Sequence, residues 1–105
     1  MAFKVDSLAD VKAMAEKLRT DGRATNLHPV SHGNAWSVYF KDPEDNGVEV
    51  FCDSPFHVRQ PQAKSWDLSM SEDELRRATE EQFGGEPEFK PIEEFYAEHR
   101  RRLGE

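Results

Sequence analysis

The stretch VSHGNAWSVYFKDPEDNGVE, residues 30–49, decides how this chain is read. Trp36, Val38 and Phe40 alternate with Ser37 and Tyr39, and after a break Val48, Val50 and Cys52 alternate with Glu49 and Phe51. A period of two marks strands with two unlike faces. Between them lie Asp42-Pro43 and Asn46-Gly47, residue types that turns favour, so the pattern is a hairpin. If its valine faces coincide, Tyr39 and Glu49 look into the same space. His32, in a Gly-Asn turn just upstream, borders it. From alternation alone Glu49 reads as a strand carboxylate reaching solvent, because exposed strand faces are commoner than metal sites. His32 alone reads as a loop residue and Tyr39 as ordinary sheet packing, and the three together make a candidate cavity.

Working outward, Met1 to Val5 reads as a short strand, with Phe3 and Val5 on one face and Ala2 and Lys4 on the other. Ser7 with Asp10 predicts a capping box. Leu8, Val11, Met14, Ala15 and Leu18 then recur at helical spacing up to Gly22, a natural helix stop. Thr25 to Val30 is a second strand, with Pro29 pushing it toward an edge or a break. The order is strand, helix, strand, strand, strand. After Asp53 the composition turns polar, with Pro55 and Pro61 leading to Trp66 and Leu68. A second capping box, Ser71 with Glu74, opens a helix carrying Leu75 and Ala78 that stops at Gly84-Gly85. Pro91 suits the first turn of a last helix, on which Ile92, Phe95, Tyr96, His99 and Leu103 form a stripe and Arg100, Arg101 and Arg102 meet the negative end of the dipole. The expected organisation is an α+β fold: a module over residues 1–53, then a linker and two-helix tail over residues 54–105.

Composition sets the bounds. The chain has 105 residues, 36% hydrophobic and 33% charged, enough for one small domain with a modest core. A formal net charge of -7 repels nucleic acid and anionic membranes, so neither is expected as a partner. Cys52 is the single cysteine, which excludes an internal disulfide and suggests a reducing, cytoplasmic setting. It reads as a small buried hydrophobe.

At residues 30–49 the chain resembles the vicinal oxygen chelate superfamily, which includes glyoxalases, bleomycin-resistance proteins and extradiol dioxygenases. The likeness is closest to the second module of the ring-cleaving dioxygenases. Val30, His32, Val38, Tyr39, Asp42, Pro43 and Glu49 fall at matching places of that family's motif. Asp45 stands where the family prefers glycine, and Asn46-Gly47 is expected to supply the positive φ one residue later. The resemblance implies a single βαβββ module with a helical tail. It also implies a ferrous site of the two-histidine, one-carboxylate type for a catecholic substrate, in which Glu49 is the carboxylate ligand to Fe(II). His32 would be the acid and base, and Tyr39 would hydrogen-bond the substrate oxygen.

In that family the two metal histidines come from the first strands of two modules, and the first strand here contains none. The family pattern of His, one residue, then Ala-Phe would place it immediately before Met1. The expectation is therefore a second half of a longer protein, or a homodimer that completes the site. A self-contained triad of His28, His32 and Glu49 is disfavoured, since loop histidines lack the fixed geometry that ligands need. The alternative function is a small-molecule binding or lyase module of the glyoxalase or bleomycin-resistance kind, also acting as a dimer, and a non-catalytic module that completes a partner's sheet is the third.

Overall fold

A computed structural model describes residues 1–103, with the side chains of Arg102 and Leu103 outside the description. The first half is an α+β unit in the expected order: β1 (Ala2–Lys4), α1 (Leu8–Asp21), β2 (Thr25–Ser31), β3 (Ala35–Lys41) and β4 (Gly47–Asp53). The second half adds β5 (Phe56–His57), β6 (Lys64–Ser65), α2 (Glu72–Phe83), β7 (Lys90–Pro91) and α3 (Ile92–Leu103). Five strands form one sheet in the order β1-β4-β3-β2-β6, and β5 and β7 make a separate ribbon. Only β1 runs parallel to its neighbour, β4, in the main sheet.

The sheet has the two unlike faces that alternation requires. One face is dry: Trp36, Val38 and Cys52 pack with Leu8, Val11 and Ala15 of α1 and with Trp66 and Leu75 from the second half. The α1 stripe is narrower than the spacing suggests, because Met14 stays 37% exposed. Ser7 caps α1 by accepting the Asp10 N–H, and Gly22 closes it at φ 74. The Asp10 carboxylate makes no return bond among the described residues, because aspartate is shorter than the glutamate that a capping box needs. Ser71 and Glu74 form both halves at α2. On α2 the buried positions are Leu75, Thr79 and Phe83. Thr79 is the acceptor for the indole N–H of buried Trp36, at 3.0 Å, so α2 is tied into the same core as α1.

The segment after Asp53 is more than a connector. β6 extends the sheet beside Val30 and Ser31, and Trp66 anchors it by donating its indole N–H to the Ser37 carbonyl. Pro29 lies just beyond the residues that β6 pairs, where its missing N–H removes no bond to that strand. Pro91 belongs to β7 rather than to the helix that follows. The stripe on α3 does not cover the main sheet: α3 packs chiefly on β5 and β7, and Tyr96 is left 52% exposed. The molecule is accordingly long, 52 × 26 × 21 Å, with a radius of gyration of 15.2 Å against about 13 Å for a compact chain of this size. No helix among the described residues is long and apolar enough to cross a membrane.

The β3–β4 turn corrects one expectation. Asp45 itself adopts the left-handed conformation, at φ 67, and Gly47 does not. The turn is fixed earlier, by the Asp42 carboxylate accepting the N–H groups of Glu44 and Asn46. Gly33 is the contrasting position: it has φ 79, and a Cβ there would lie 2.5 Å from Val58 Cγ1. Asp45→Gly is therefore expected to raise stability by about 0.5–1 kcal/mol, and Gly33→Ala to lower it by more than about 1 kcal/mol. Urea denaturation of the two variants checks both signs.

Candidate functional site

The second face of the sheet carries the site. Register puts Tyr39 opposite Glu49 on β4 and opposite His28 on β2, and Ser37 opposite Phe51 and Val30. On β1, Ala2 pairs with Glu49. All these side chains point away from α1 and α2, as alternation requires.

His32, Tyr39 and Glu49 converge over Ser37. His32 Nε2 lies 2.9 Å from the Tyr39 hydroxyl and 3.4 Å from Glu49 Oε2. Ser37 Oγ donates to the same carboxylate oxygen at 2.7 Å. Their packing explains why a serine on the open side of the sheet is fully buried, whereas the His32 and Glu49 side chains remain 23% and 20% exposed. Such partial exposure leaves a ligand access to groups whose geometry is already fixed.

The tautomer of His32 follows from its other nitrogen. Nδ1 faces the Gln62 carbonyl at 2.7 Å, and a carbonyl only accepts, so Nδ1 carries the proton. When the ring is neutral, Nε2 is an acceptor, and the Tyr39 hydroxyl donates to it. The Gln60 side-chain amide donates to the His32 carbonyl at 2.8 Å, so residues 60–62 hold His32 from both ends. The His32 N–H is bonded to the Ala35 carbonyl, closing the turn.

The phenol of Tyr39 is pushed up to about 12, first by desolvation and then by the neighbouring Glu49 carboxylate. It therefore stays protonated as a donor through the neutral range. Cys52, on the dry face, is pushed up to about 11 chiefly by burial, with nearby acidic groups adding to it. That thiol is a packing group, as its buried position indicates.

Three sequence candidates thus come together: His32, Tyr39 and Glu49. His28 joins them at one remove, with its ring stacked on Tyr39 at 5.7 Å. It does not reach Glu49 as the disfavoured triad would require, and among the described residues no three of His, Cys, Asp or Glu are grouped to hold a metal ion. Gln60, Gln62 and Ser37 were missed by sequence reasoning. Ser37 had a signal, since it shares the parity of Tyr39; the glutamines had none, because only the tertiary path of the chain after Asp53 brings them to His32. His57 lies elsewhere, flat against Phe95 at 3.8 Å and 3.4 Å from Glu88.

Compared with protein-family models, curated proteins and solved structures, the chain matches none.

Both raised groups bear on stability in alkali. Below pH 9 thiol and phenol are protonated in the folded and the unfolded chain, and neither gives stability a slope. From pH 9 to about 11 the unfolded thiol ionises first, and from pH 10 to about 12 the unfolded phenol does, so stability falls as pH rises through these windows. Tyr39→Phe is expected to flatten the upper part of the fall and Cys52→Ala the lower part, measured as denaturation midpoints from pH 8 to 12.

Proposed function

We propose that this chain is a vicinal oxygen chelate module of the extradiol ring-cleaving type, acting on a catecholic substrate held against the open face of its sheet. The observation that carries the reading is the convergence of His32, Tyr39 and Glu49 over Ser37, on the sheet face away from the two helices, in the order of that family's motif. The βαβββ order and the pairing of β1 with β4 beside Glu49 support it.

The residues fit a ferrous centre in part. Glu49, partly exposed and with one oxygen fixed by Ser37, is a hard anionic donor that would hold the ion. By that family's pattern the two imidazoles of such a centre would come from the first strands of two paired modules facing the same space, and β1 of this chain, Ala2–Lys4, carries neither. Iron, when bound, supplies the activation of dioxygen and of the catechol oxygens.

His32 then does the proton work. Its Nδ1–H is committed to Gln62, so Nε2 is the only basic position, and it takes a proton from a substrate hydroxyl that replaces the Tyr39 hydroxyl there. The imidazolium so formed lies 3.4 Å from Glu49, whose charge stabilises it. The proton returns by the same path. Tyr39, a phenol held neutral by its surroundings, orients a substrate oxygen by donating to it. Ser37 keeps the carboxylate from rotating.

Metal analysis and a catechol ring-cleavage assay, run on the chain alone and on the chain with its partner module, test this. Glu49→Ala is expected to abolish iron binding. His32→Ala should retain iron and lower turnover by about 10² to 10⁴. Loss of iron in His32→Ala would make that residue a ligand and overturn the assignment of roles. Absence of iron and of ring cleavage from the completed assembly would remove the dioxygenase reading altogether.

A further inference from the structure

His28 belongs to no motif, yet the chain departs from regular pairing to bring it to Tyr39. Thr25 pairs with Lys41, whereas His28, Pro29 and Val30 pair with Tyr39, Val38 and Ser37. Continuing the first register would set Leu27, not His28, opposite Tyr39. One extra residue is taken up between Thr25 and His28, and this bulge exchanges the two.

Asn26 absorbs it. Its φ is 54, a left-handed backbone that asparagine tolerates better than most residues. Leu27 is thereby kept against the dry core, and His28 is delivered to the opposite face. There its imidazole lies almost parallel to the phenol, with ring centres 5.7 Å apart and planes at 17°. His32 meets the same ring edge-on, at 5.9 Å and 77°. His28 Nδ1 is 2.7 Å from the Asn26 carbonyl, so Nδ1 is the donor, and the residue that makes the bulge also fixes the ring it presents.

Bulges beside functional sites re-aim side chains, and unfavourable backbone conformations persist where the surroundings enforce them. From the register shift, the left-handed Asn26 and the stacked rings we infer that His28 is a positioning residue. It acts through Tyr39, holding the phenol between two imidazoles so that the hydroxyl stays on His32 Nε2. The flexible side is thereby closed: a tyrosine on an open sheet face otherwise swings about χ1, and each rotamer away from His32 breaks that hydrogen bond.

The consequence for turnover rests on the ring-cleavage reading, but the geometry is measurable without substrate or metal. The probe is the ¹⁵N signal of the His32 ring in metal-free protein at neutral pH. In the wild type Nε2 carries the mark of an accepted phenol proton, and Tyr39→Phe gives the signal without it. His28→Ala is expected to move Nε2 most of the way to the Tyr39→Phe position, while His28→Phe, which keeps a flat ring, stays near wild type. Asn26→Gly, compatible with a left-handed backbone, should also stay, and Asn26→Val should follow His28→Ala. If His28→Ala does not fold, the Asn26 pair decides on the same signal.

A wild-type His32 signal in folded His28→Ala, or in folded Asn26→Val, overturns the inference, as does His28→Phe behaving like His28→Ala. In the completed enzyme His28→Ala should lower kcat by about tenfold to a hundredfold, with His28→Phe restoring it. The expected pattern of signals without ring cleavage in any variant would uphold the positioning role and reject the dioxygenase reading. Ring cleavage with an unmoved signal would do the reverse.

Discussion

The antiparallel register of β3 on β4 is the constraint on which the rest of the structure depends. It sets Tyr39 opposite Glu49 and Trp36 opposite Cys52, and in doing so divides polar chemistry from packing across a single sheet. A slip of one residue would exchange the faces, sending Glu49 into the core with Trp36 and Val38. Burying an unpaired carboxylate there is far costlier than any gain from the hairpin, so the apolar face and the site enforce the same register. The Asp42 carboxylate reinforces it from the turn, and Trp66 does so from the other side by bonding the Ser37 carbonyl.

Much of this was legible in the sequence because it depends on alternation and on local caps. The shared face of Tyr39 and Glu49, the helix between Ser7 and Gly22 and the opening of the second helix at Ser71 each follow from a few neighbouring residues. What was not legible depends on distant contacts or on departures from regular geometry. Nothing in the residues around Asn26 announces a bulge, so the partner of Tyr39 was unreadable. The role of residues 60–62 was hidden because a loop carries no periodic signal of where it will lie. Asp45 was misjudged because the rule that favours glycine in a left-handed turn was followed past a residue whose neighbours already held the turn. Among the described side chains of the α3 stripe only Ile92 and Phe95 are partly covered, with Tyr96 and His99 exposed, because an apolar spacing does not name the surface that it meets, and the β5–β7 ribbon takes that place.

The site also illustrates how a small domain manages polar groups. Ser37 is fully buried and satisfied by Glu49, and the buried serines Ser31 and Ser54 have bonds within the turn that carries His32. These short side chains make the network rigid without a large apolar core beneath it. His32 is the one ring in that network tied at both nitrogens, to a backbone carbonyl and to a phenol. Its orientation is consequently set by the loop that carries Gln62 and by the strand that carries Tyr39 rather than by its own rotamer preference.

The pairing of β1 with β4 has a kinetic consequence. β2, β3 and β4 form a meander of short connections that can zip up locally, but β1 meets β4 across the whole intervening chain, by parallel pairing that begins where the Glu49 N–H bonds the Met1 carbonyl. Loop closure of that length is entropically late in folding. A three-residue edge strand with every position exposed is also the first to detach in the folded state. Amide exchange should thus be fastest along β1 and slow in β3, leaving the wall of the site nearest Glu49 as its most labile part. Opening there would widen the face from the carboxylate side while the clasp on His32 stays shut.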